Sequence, residues 1–351
     1  MNKDAKIYVA GHTGLVGSAL IRKLIAEGYN NIITKNISEL DLRRQSEVEA
    51  FFERERPEYV FLAAAKVGGI LANNTYKAEF IYDNLMIASN VIHASYKYGV
   101  KKLLNLGSSC IYPKNCPQPM KEEYLLTGPL EPTNEPYAIA KIAAIKLCRY
   151  YNEQYGTNYI SVMPTNLYGP NDNFNFETAH VLPALIRKFH LGKLLWDEKW
   201  DLILEDLKRF PVGFGLDGCI RQEEHDIKYI LEQLGIKKDY ILIWGSGRVF
   251  REFMHVDDLA DACLYIIKNY QYKDIGEIIN IGTGNDLTIS ELSIMIKNIV
   301  GYKGDINYDY SKPDGVKRKL LNIEKLLKLN WRNRIKMEDG IKMTYSWYCS
   351  Y

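Results

Sequence analysis

The sequence predicts an α/β protein in which a doubly wound parallel sheet is joined to a smaller C-terminal lobe. Three observations lead to this prediction. Short apolar runs alternate with longer amphipathic stretches through the first half of the chain. A glycine-rich turn at residues 11–17 joins the first apolar run to the first amphipathic stretch. After about residue 165 the alternation fades, and 351 residues are enough for two domains. We therefore expect a Rossmann-like domain over 1–165, completed by later returning segments, and a mainly substrate-binding lobe over 166–351.

The individual elements follow from periodicity. Val16, Leu20 and Leu24 recur every four residues, which predicts a first helix with one face against the sheet. Two long helices are expected at 76–98 and 137–155, because neither stretch contains proline or glycine, and Thr133 or Asn134 is available to cap the second. The expected strands lie at 6–10, 31–34, 59–65, 102–107 and 159–164, with later ones at 240–244 and 278–281.

The charge balance excludes several classes of partner. Lys and Arg total 45 against 43 Asp and Glu, a net charge of +2, so no strong field would attract nucleic acid or an acidic membrane. No stretch approaches the roughly 18 apolar residues of a membrane span, and no signal-like region opens the chain. The six cysteines form no metal-binding pattern. We expect a cytoplasmic protein with reduced thiols, no metal, and neither nucleic-acid nor membrane partners.

The glycine-rich turn predicts a dinucleotide site. Gly11, Gly14 and Gly17, with Leu15 and Val16 between them, follow a strand and open a helix, the context in which a backbone cradles a pyrophosphate. The spacing of three residues between glycines is typical of short-chain dehydrogenases, although a simple tight turn is the alternative reading.

Residues after the second strand bear on the cofactor type. Asp41, followed by Leu42, falls where an adenine base should lie, and a solvated carboxylate is the alternative. Enzymes that use NAD usually place an acid at the end of this strand, where Thr34, Lys35 and Asn36 stand instead. The missing acid and the presence of Lys35 favour NADP.

A tyrosine and a lysine four residues apart predict proton transfer. Tyr137 and Lys141 lie on one helix face, where the ammonium and a positive nicotinamide are expected to lower the pKa of the phenol. A packing aromatic beside a solvated lysine is the alternative. Ser108, at the end of the fourth strand, is expected to hydrogen-bond a substrate carbonyl. Cys110, standing where sugar dehydratases carry an acid, is a candidate base or else a small buried side chain.

Five segments together resemble one family. Residues 63–69, 107–113, 131–141, 164–170 and 311–315 are similar to motifs of the GDP-L-fucose synthases, extended short-chain dehydrogenases that epimerise and reduce a GDP-4-keto-6-deoxy sugar. The similarity extends over most of the chain, apart from about 190–240 and the final residues. It implies a GDP-sugar substrate and NADPH as the cofactor.

The resemblance also implies residue roles. Cys110 would act as base and His180 as acid at carbons 3 and 5, while Ser108 and Tyr137 stabilise the enolate. Tyr137 would then protonate the oxygen on carbon 4 as that carbon is reduced. Lys188, Trp244, Arg251 and Asp314 would bind the nucleotide sugar. The other residues expected to contact the cofactor are Ala63, Ala64, Ala65, Leu106, Gly107, Lys141, Pro164, Asn166, Leu167 and His180.

The chain departs from the family at the cofactor phosphate. Thr13 and Ile37 stand where the family often carries arginines, which leaves the preference for NADPH over NADH open. Lys188 also stands where the family commonly has an arginine. An ammonium group therefore replaces a guanidinium, which can form two parallel hydrogen bonds with a phosphate. The family habit predicts a homodimer through helices 76–98 and 137–155, unless both pack only on the sheet.

Residues 193–238 stand where the resembling family has only a short connection between the element that bears Lys188 and the strand that bears Trp244. Within them, 220–234 places apolar residues near one helical face, which predicts an ordered helix. Because the flanking elements carry expected substrate contacts, we expect a GDP-4-keto-heptose as substrate, with a surface ornament as the alternative. Two further functions stay open: reduction without epimerisation, and a dinucleotide-sensing protein without turnover. The apolar residues in question are Ile220, Ile227, Ile230, Leu231 and Leu234.

Overall fold

The computed structural model describes residues 1–221, 223–312 and 314–350. Gln222, within the helix predicted at 220–234, and Pro313, within the motif at 311–315, lie outside the described residues. The strands are β1 (Ile7–Ala10), β2 (Ile32–Ile33), β3 (Tyr59–Leu62), β4 (Lys102–Leu106), β5 (Tyr159–Pro164), β6 (Asn166–Tyr168), β7 (Tyr240–Trp244), β8 (Phe250–His255), β9 (Ile279–Ile281), β10 (Asp286–Thr288), β11 (Asp305–Asp309) and β12 (Arg318–Lys319).

The helices are more numerous in the second half than the sequence predicted. They are α1 (Leu15–Ala26), α2 (Gln45–Glu55), α3 (Ile70–Thr75), α4 (Lys77–Lys97), α5 (Glu135–Tyr155), α6 (Val181–Trp196), α7 (Trp200–Arg209), α8 (Glu224–Gln233), α9 (Val256–Asn269), α10 (Tyr272–Ile275), α11 (Ile289–Val300), α12 (Glu324–Lys328) and α13 (Met337–Ser350).

A six-stranded parallel sheet forms the first layer of the molecule. Its order is β2-β1-β3-β4-β5-β9, and residues such as Ile7 and Tyr59 pair in register across β1 and β3. The predicted fold class is confirmed. The strand order changes direction between β1 and β3: β2 lies on one side of β1, and β3 and the later strands lie on the other. Doubly wound sheets bind ligands in the crevice at such a point.

Helices cover both faces of the sheet because successive strand residues point in opposite directions. Val9 of β1 packs in a core with Leu20 of α1 and Leu259 of α9. Tyr8, the preceding residue, packs on the other face with Phe52 of α2 and residues of α4 and α5. The alternation places the glycine-rich turn, which follows β1, at the carboxyl edge of the sheet.

The C-terminal half returns to this first layer twice. Strand β9 completes the sheet beside β5, pairing Val162 with Ile279 in register. Helix α9 packs against α1 through a shared apolar core. These are the later segments that the sequence predicted to complete the first domain, and they lie well beyond residue 165.

The second lobe is built around a separate apolar core. Strands β10, β8 and β12 form a sheet that β6 extends, and β7 pairs with β11 in parallel. Helices α6, α11 and α13 pack over them. The lobe faces the carboxyl edge of the six-stranded sheet because β6 continues directly from β5.

Residues 193–238 are an integral part of this second lobe. The predicted ordered helix is confirmed, but it begins at Glu224, because Asp217–Cys219 forms a short turn and Ile220 is extended. Ile227, Ile230 and Leu231 are buried in the lobe core, as are Ile203 and Leu207 of α7, a helix that the sequence reading did not predict.

The second long helix begins after one of the two predicted cap residues, but without a side-chain cap. Asn134 occupies the N-cap position of α5, but its side chain makes no capping hydrogen bond. The hydroxyl of Thr133 lies 3.3 Å from a carboxylate oxygen of Glu131 and is therefore engaged elsewhere. The helix is instead started by Pro136 in its first turn, which fixes a helical φ.

The six cysteines, all within the described residues, are free thiols. No helix in the described part of the chain is both long enough and apolar enough to cross a membrane. Among those same residues, no group of three His, Cys, Asp or Glu side chains is placed to hold a metal ion.

Candidate active site

One large cleft runs along the carboxyl edge of the six-stranded sheet and continues over the second lobe. Its volume is about 2050 Å³. All of the residues predicted for cofactor binding, for catalysis and for nucleotide-sugar binding line it. The structure thus brings together residues from 11 to 314 that the sequence could only place on separate elements.

The glycine-rich turn packs tightly against the end of β3. Gly11 has a φ of +83°, and a Cβ there would lie 2.7 Å from the Cα of Ala64. A Cβ on Gly17 would lie 2.0 Å from the Gly11 carbonyl oxygen, so neither position admits a side chain. No acidic residue lies in the first turn of α1, which the structure describes in full. The N–H groups at this helix start therefore suit a dinucleotide pyrophosphate.

At the adenosine end of the cleft the predicted residues are paired. Lys35 donates to Glu39 at 2.8 Å, and Asp41 accepts from the Nε and Nη2 atoms of Arg43 at 2.9 Å each. The Arg43 hydrogen bond holds the pKa of Asp41 below its usual value. Arg43 itself lines the cleft, so this end presents two cations, and the sequence reading had named only Lys35.

Tyr137 and Lys141 lie one turn apart in the first half of α5. The Lys141 Nζ is 5.7 Å from the centre of the Tyr137 ring and donates a 2.7 Å hydrogen bond to the Leu106 carbonyl. Burial lowers the pKa of Lys141 to about 8. The ammonium therefore loses its proton more readily than an exposed lysine does.

The predicted lowering of the Tyr137 pKa is wrong for the protein alone. Burial raises the pKa of the phenol, Cys110 adds to the increase, and a hydrogen bond with Ser108 opposes it only in part. Lys141 does not offset the burial, because its own lowered pKa of about 8 leaves it neutral at the pH where the phenol would ionise. The phenol is consequently protonated at neutral pH, as a proton donor must be.

Cys110 and His180 face the same part of the cleft. Cys110 lies in a short turn after β4, where its N–H donates to the Ser108 hydroxyl at 3.2 Å. The Nζ of Lys319 lies 4.0 Å from the Cys110 sulfur. His180 stands at the N-cap of α6 without using its side chain as a cap, and burial lowers its pKa, with Lys319 contributing.

Four residues line the part of the cleft over the second lobe. Lys188 donates to the Leu242 carbonyl at 2.9 Å, and burial lowers its pKa to about 8. Arg251 donates to the Val316 carbonyl at 2.6 Å. Asp314 accepts from the Ser246 N–H at 2.8 Å and from its hydroxyl at 2.6 Å. Trp244 is 55% exposed, and the Nζ of Lys312 lies over its ring, 5.3 Å from the ring centre.

The sequence and the fold have clear relatives. The model of the NAD dependent epimerase/dehydratase family matches residues 7–206 and 214–282. GDP-L-fucose synthase 1 of Arabidopsis thaliana is 50% identical over 347 residues, covering 99% of this chain and 94% of the plant protein. The chain belongs to the GDP-L-fucose synthase family.

Two solved structures show the same overall fold. The GDP-mannoheptose C4 reductase from Campylobacter jejuni, with NADP bound, has a TM-score of 0.87 and 44% identity over 99% of each chain. A GDP-6-OMe-4-keto-L-xylo-heptose reductase from C. jejuni has a TM-score of 0.93 and 44% identity, covering 100% of this chain and 99% of the other.

Besides Arg43, three further residues that line the cleft were not predicted from the sequence. Lys319 belongs to a basic run, 317–319, just after the 311–315 motif, and that run was the available signal. Asp172 has one carboxylate oxygen without a hydrogen-bond partner among the described residues, and burial raises its pKa to about 7. Phe214 reaches the cleft from a loop with no periodic pattern.

Proposed function

We propose that this protein is an NADPH-dependent reductase that acts on carbon 4 of a GDP-linked 4-keto sugar. One observation carries the proposal: a single cleft joins the glycine-rich turn, the Ser108, Tyr137 and Lys141 set, and the cations Lys188 and Arg251. The first feature suits a dinucleotide and the last suits a second diphosphate. Between them lies a proton donor, which carbonyl reduction requires.

The cofactor end favours NADPH. Lys35 and Arg43 both line the cleft beyond β2, and Ile37, which replaces a family arginine, is 72% exposed there. The two cations are suited to the extra phosphate of NADPH. When bound, NADPH supplies the hydride for carbon 4. The relative from Campylobacter jejuni with NADP bound supports the same choice.

In the reduction, Tyr137 donates its phenolic proton to the oxygen on carbon 4. The raised pKa keeps that proton in place at neutral pH, and Ser108 hydrogen-bonds the same region. Lys141, whose ammonium is held at the Leu106 carbonyl, orients the groups around the phenol. General acid catalysis of this kind typically contributes about 10²–10⁴-fold.

Epimerisation at carbons 3 and 5 is the second stage that we propose. The ketone acidifies both protons; Cys110 removes one as a thiolate, and His180 returns a proton to the carbon. Lys319, with its ammonium 4.0 Å from the sulfur, is placed to stabilise the thiolate. The alternative is a reductase without epimerase activity. Such an enzyme would need neither Cys110 nor His180 for turnover.

Solvent exchange separates these two possibilities. In D₂O, the wild-type protein is expected to introduce deuterium at carbons 3 and 5 of the substrate. The Cys110→Ser variant should stop this exchange and still reduce a substrate that has already been epimerised. If the wild type exchanges no deuterium while it consumes NADPH, the protein is a reductase only.

A GDP-4-keto-heptose is the first candidate substrate. Support comes from the two solved relatives, which are both named as reductases of GDP-linked heptoses. The deciding comparison is kcat/KM for a GDP-4-keto-heptose against GDP-4-keto-6-deoxy-mannose, measured by NADPH consumption. Preference for the hexose would contradict the heptose assignment. Consumption with neither substrate would favour a dinucleotide-sensing protein without turnover.

We also propose that the protein forms a homodimer in the cytoplasm, through the outer faces of α4 and α5. These faces expose Tyr82, Ile139, Tyr150 and Tyr155, which are 60%, 41%, 54% and 46% accessible. An isologous four-helix contact would bury them. Light scattering at micromolar concentration should give the mass of a dimer, and a monomer mass would contradict the proposal.

A further inference from the structure

Phe214 belongs to the segment 193–238 and lines the active-site cleft. We propose that Phe214 binds the base of the nucleotide sugar, forming with Trp244 an aromatic pocket for guanine. The inference rests on the proposed function, since it assumes a GDP-linked substrate. It assigns the segment to the nucleotide rather than to the sugar.

The two rings form a pair of apolar walls. Their centres are 6.3 Å apart and their planes are inclined by 58°, so the two rings stand side by side at the cleft. Phe214 is 40% exposed and Trp244 is 55% exposed, although large aromatic side chains usually bury most of their area. A flat base is the part of a GDP-sugar that gains most from stacking on such faces.

The position of the pair along the cleft also favours the base. Burial lowers the pKa of Arg251, and Cys110 and Asp314 oppose this shift, so Arg251 lies near both the catalytic cysteine and Asp314. A guanidinium at this place suits the diphosphate. Asp314 lies beside Trp244 through Ser246, and its carboxylate is an acceptor of the kind that a guanine N–H edge requires. A sugar ring offers neither a flat π-face nor that edge.

The backbone of Phe214 is held in a conformation that its side chain disfavours. Its φ is +55°, in the left-handed region, where a bulky residue is strained. The Phe214 N–H donates to a carboxylate oxygen of Glu177 at 2.6 Å, and Asp217 accepts from the N–H groups of Val212 and Gly213 at 2.7 and 3.0 Å. Glycine would relieve the strain here, so the retained ring indicates a contribution other than to folding.

The consequence for kinetics is specific. Guanine is common to GDP-hexoses and GDP-heptoses, so Phe214 should lower KM for both by the same factor and leave kcat unchanged. The heptose preference expected from the insertion would then have to arise elsewhere in the cleft. Deleting 193–238 is not a usable test, because the segment supplies buried core residues such as Ile203 and Ile230.

The experiment measures GDP binding by calorimetry to the full-length protein. Phe214→Gly is expected to bind GDP about tenfold more weakly, within the range that loss of one stacked base contact allows. Its Tm should equal or exceed that of the wild type, because the strained φ is relieved. NADPH binding should be unchanged. Tyr229→Ala is the matched control: Tyr229 is an exposed aromatic of the same segment, on α8, and does not line the cleft.

A second pair of variants covers the case in which Phe214→Gly disturbs the loop. Phe214→Tyr keeps a π-face and Phe214→Leu keeps only apolar volume, while both retain the strained φ. Tyr is expected to bind GDP within about twofold of wild type, and Leu several-fold more weakly. Equal GDP binding by the wild type, Phe214→Gly and Phe214→Leu would overturn the role of Phe214 and leave the proposed function standing. Absence of GDP binding by the wild type would instead overturn the proposed function.

Discussion

A buried ion pair should determine how firmly the segment 193–238 is attached to the second lobe. Arg187 of α6 is fully buried, and its Nε donates to Asp206 of α7 at 2.9 Å. Four backbone carbonyls accept the remaining guanidinium bonds: those of Phe174, Phe210 and Pro211 at 2.9 Å each and that of Asp206 at 3.4 Å. Asp206 is thus the only carboxylate within salt-bridge distance of Arg187 in the described chain.

The perturbation is Asp206→Asn, which keeps the shape of the side chain and removes its charge. The guanidinium would then be buried with neutral partners only, and removing one member of such a pair costs about 3–5 kcal/mol. Because the amide still offers an acceptor, we expect the lower end, about 3 kcal/mol of unfolding free energy. At roughly 2–4 °C per kcal/mol, Tm should fall by about 6–12 °C.

The matched control is Glu198→Gln, the same chemical change in the same segment. Glu198 pairs with Lys238 at 2.7 Å, but its side chain is 67% exposed. Exposed pairs contribute little to stability because solvent screens them, so Tm should move by only a few degrees. Thermal unfolding followed by circular dichroism measures both variants. A shift for Asp206→Asn no larger than that for Glu198→Gln would refute the reasoning, and Arg187→Met with Asp206→Leu should recover part of the loss.

Two further predictions concern the active site. Tyr137→Phe should remove more than nine tenths of the reductase turnover and leave NADPH affinity unchanged, as measured by NADPH consumption and by fluorescence titration, because only the proton donor is lost. The affinity for GDP should fall as pH rises through about 8, by about tenfold between pH 7 and 9, because Lys188 with its lowered pKa is charged below that value and neutral above it. Lys188→Arg should flatten this dependence, and an equally steep profile in that variant would assign it to another group.

The sequence was sufficient for the first domain because its signals are local. β1, the glycine-rich turn and α1 are adjacent in the chain, and Tyr137 and Lys141 are one helical turn apart. Each of these features has a period or a spacing that can be read without knowing the fold. A doubly wound parallel sheet and a ligand site at its carboxyl edge followed from them.

The missing parts depend on contacts that are distant in sequence. Lys319 reaches Cys110 only because the two-residue strand β12 pairs with β8, and a strand that short has no periodicity to detect. Phe214 adopts a positive φ that residue preferences argue against. For the protein alone, the pKa of Tyr137 shifts opposite to the predicted direction because burial, which the sequence does not give, raises it.

Helix α7 differs from these cases, because the sequence does contain the apolar periodicity that predicts it. Trp200, Ile203, Leu204 and Leu207 recur at helical spacing, and the structure buries Ile203 and Leu207 in the lobe core. The missing side-chain cap at α5 has another cause: Thr133 and Asn134 have suitable side chains, but a local contact with Glu131, two residues earlier, engages the Thr133 hydroxyl.

Transfer of deuterium to carbon 4 tests the central claim most directly. NADPH carrying deuterium at the transferable position would be incubated with the protein and a GDP-4-keto-heptose, and the product analysed by mass spectrometry and NMR. The account predicts one deuterium per product molecule, located at carbon 4, and a near-complete loss of product formation in Tyr137→Phe. A product without deuterium at carbon 4, or unconsumed NADPH in the presence of both the heptose and the hexose, would contradict it.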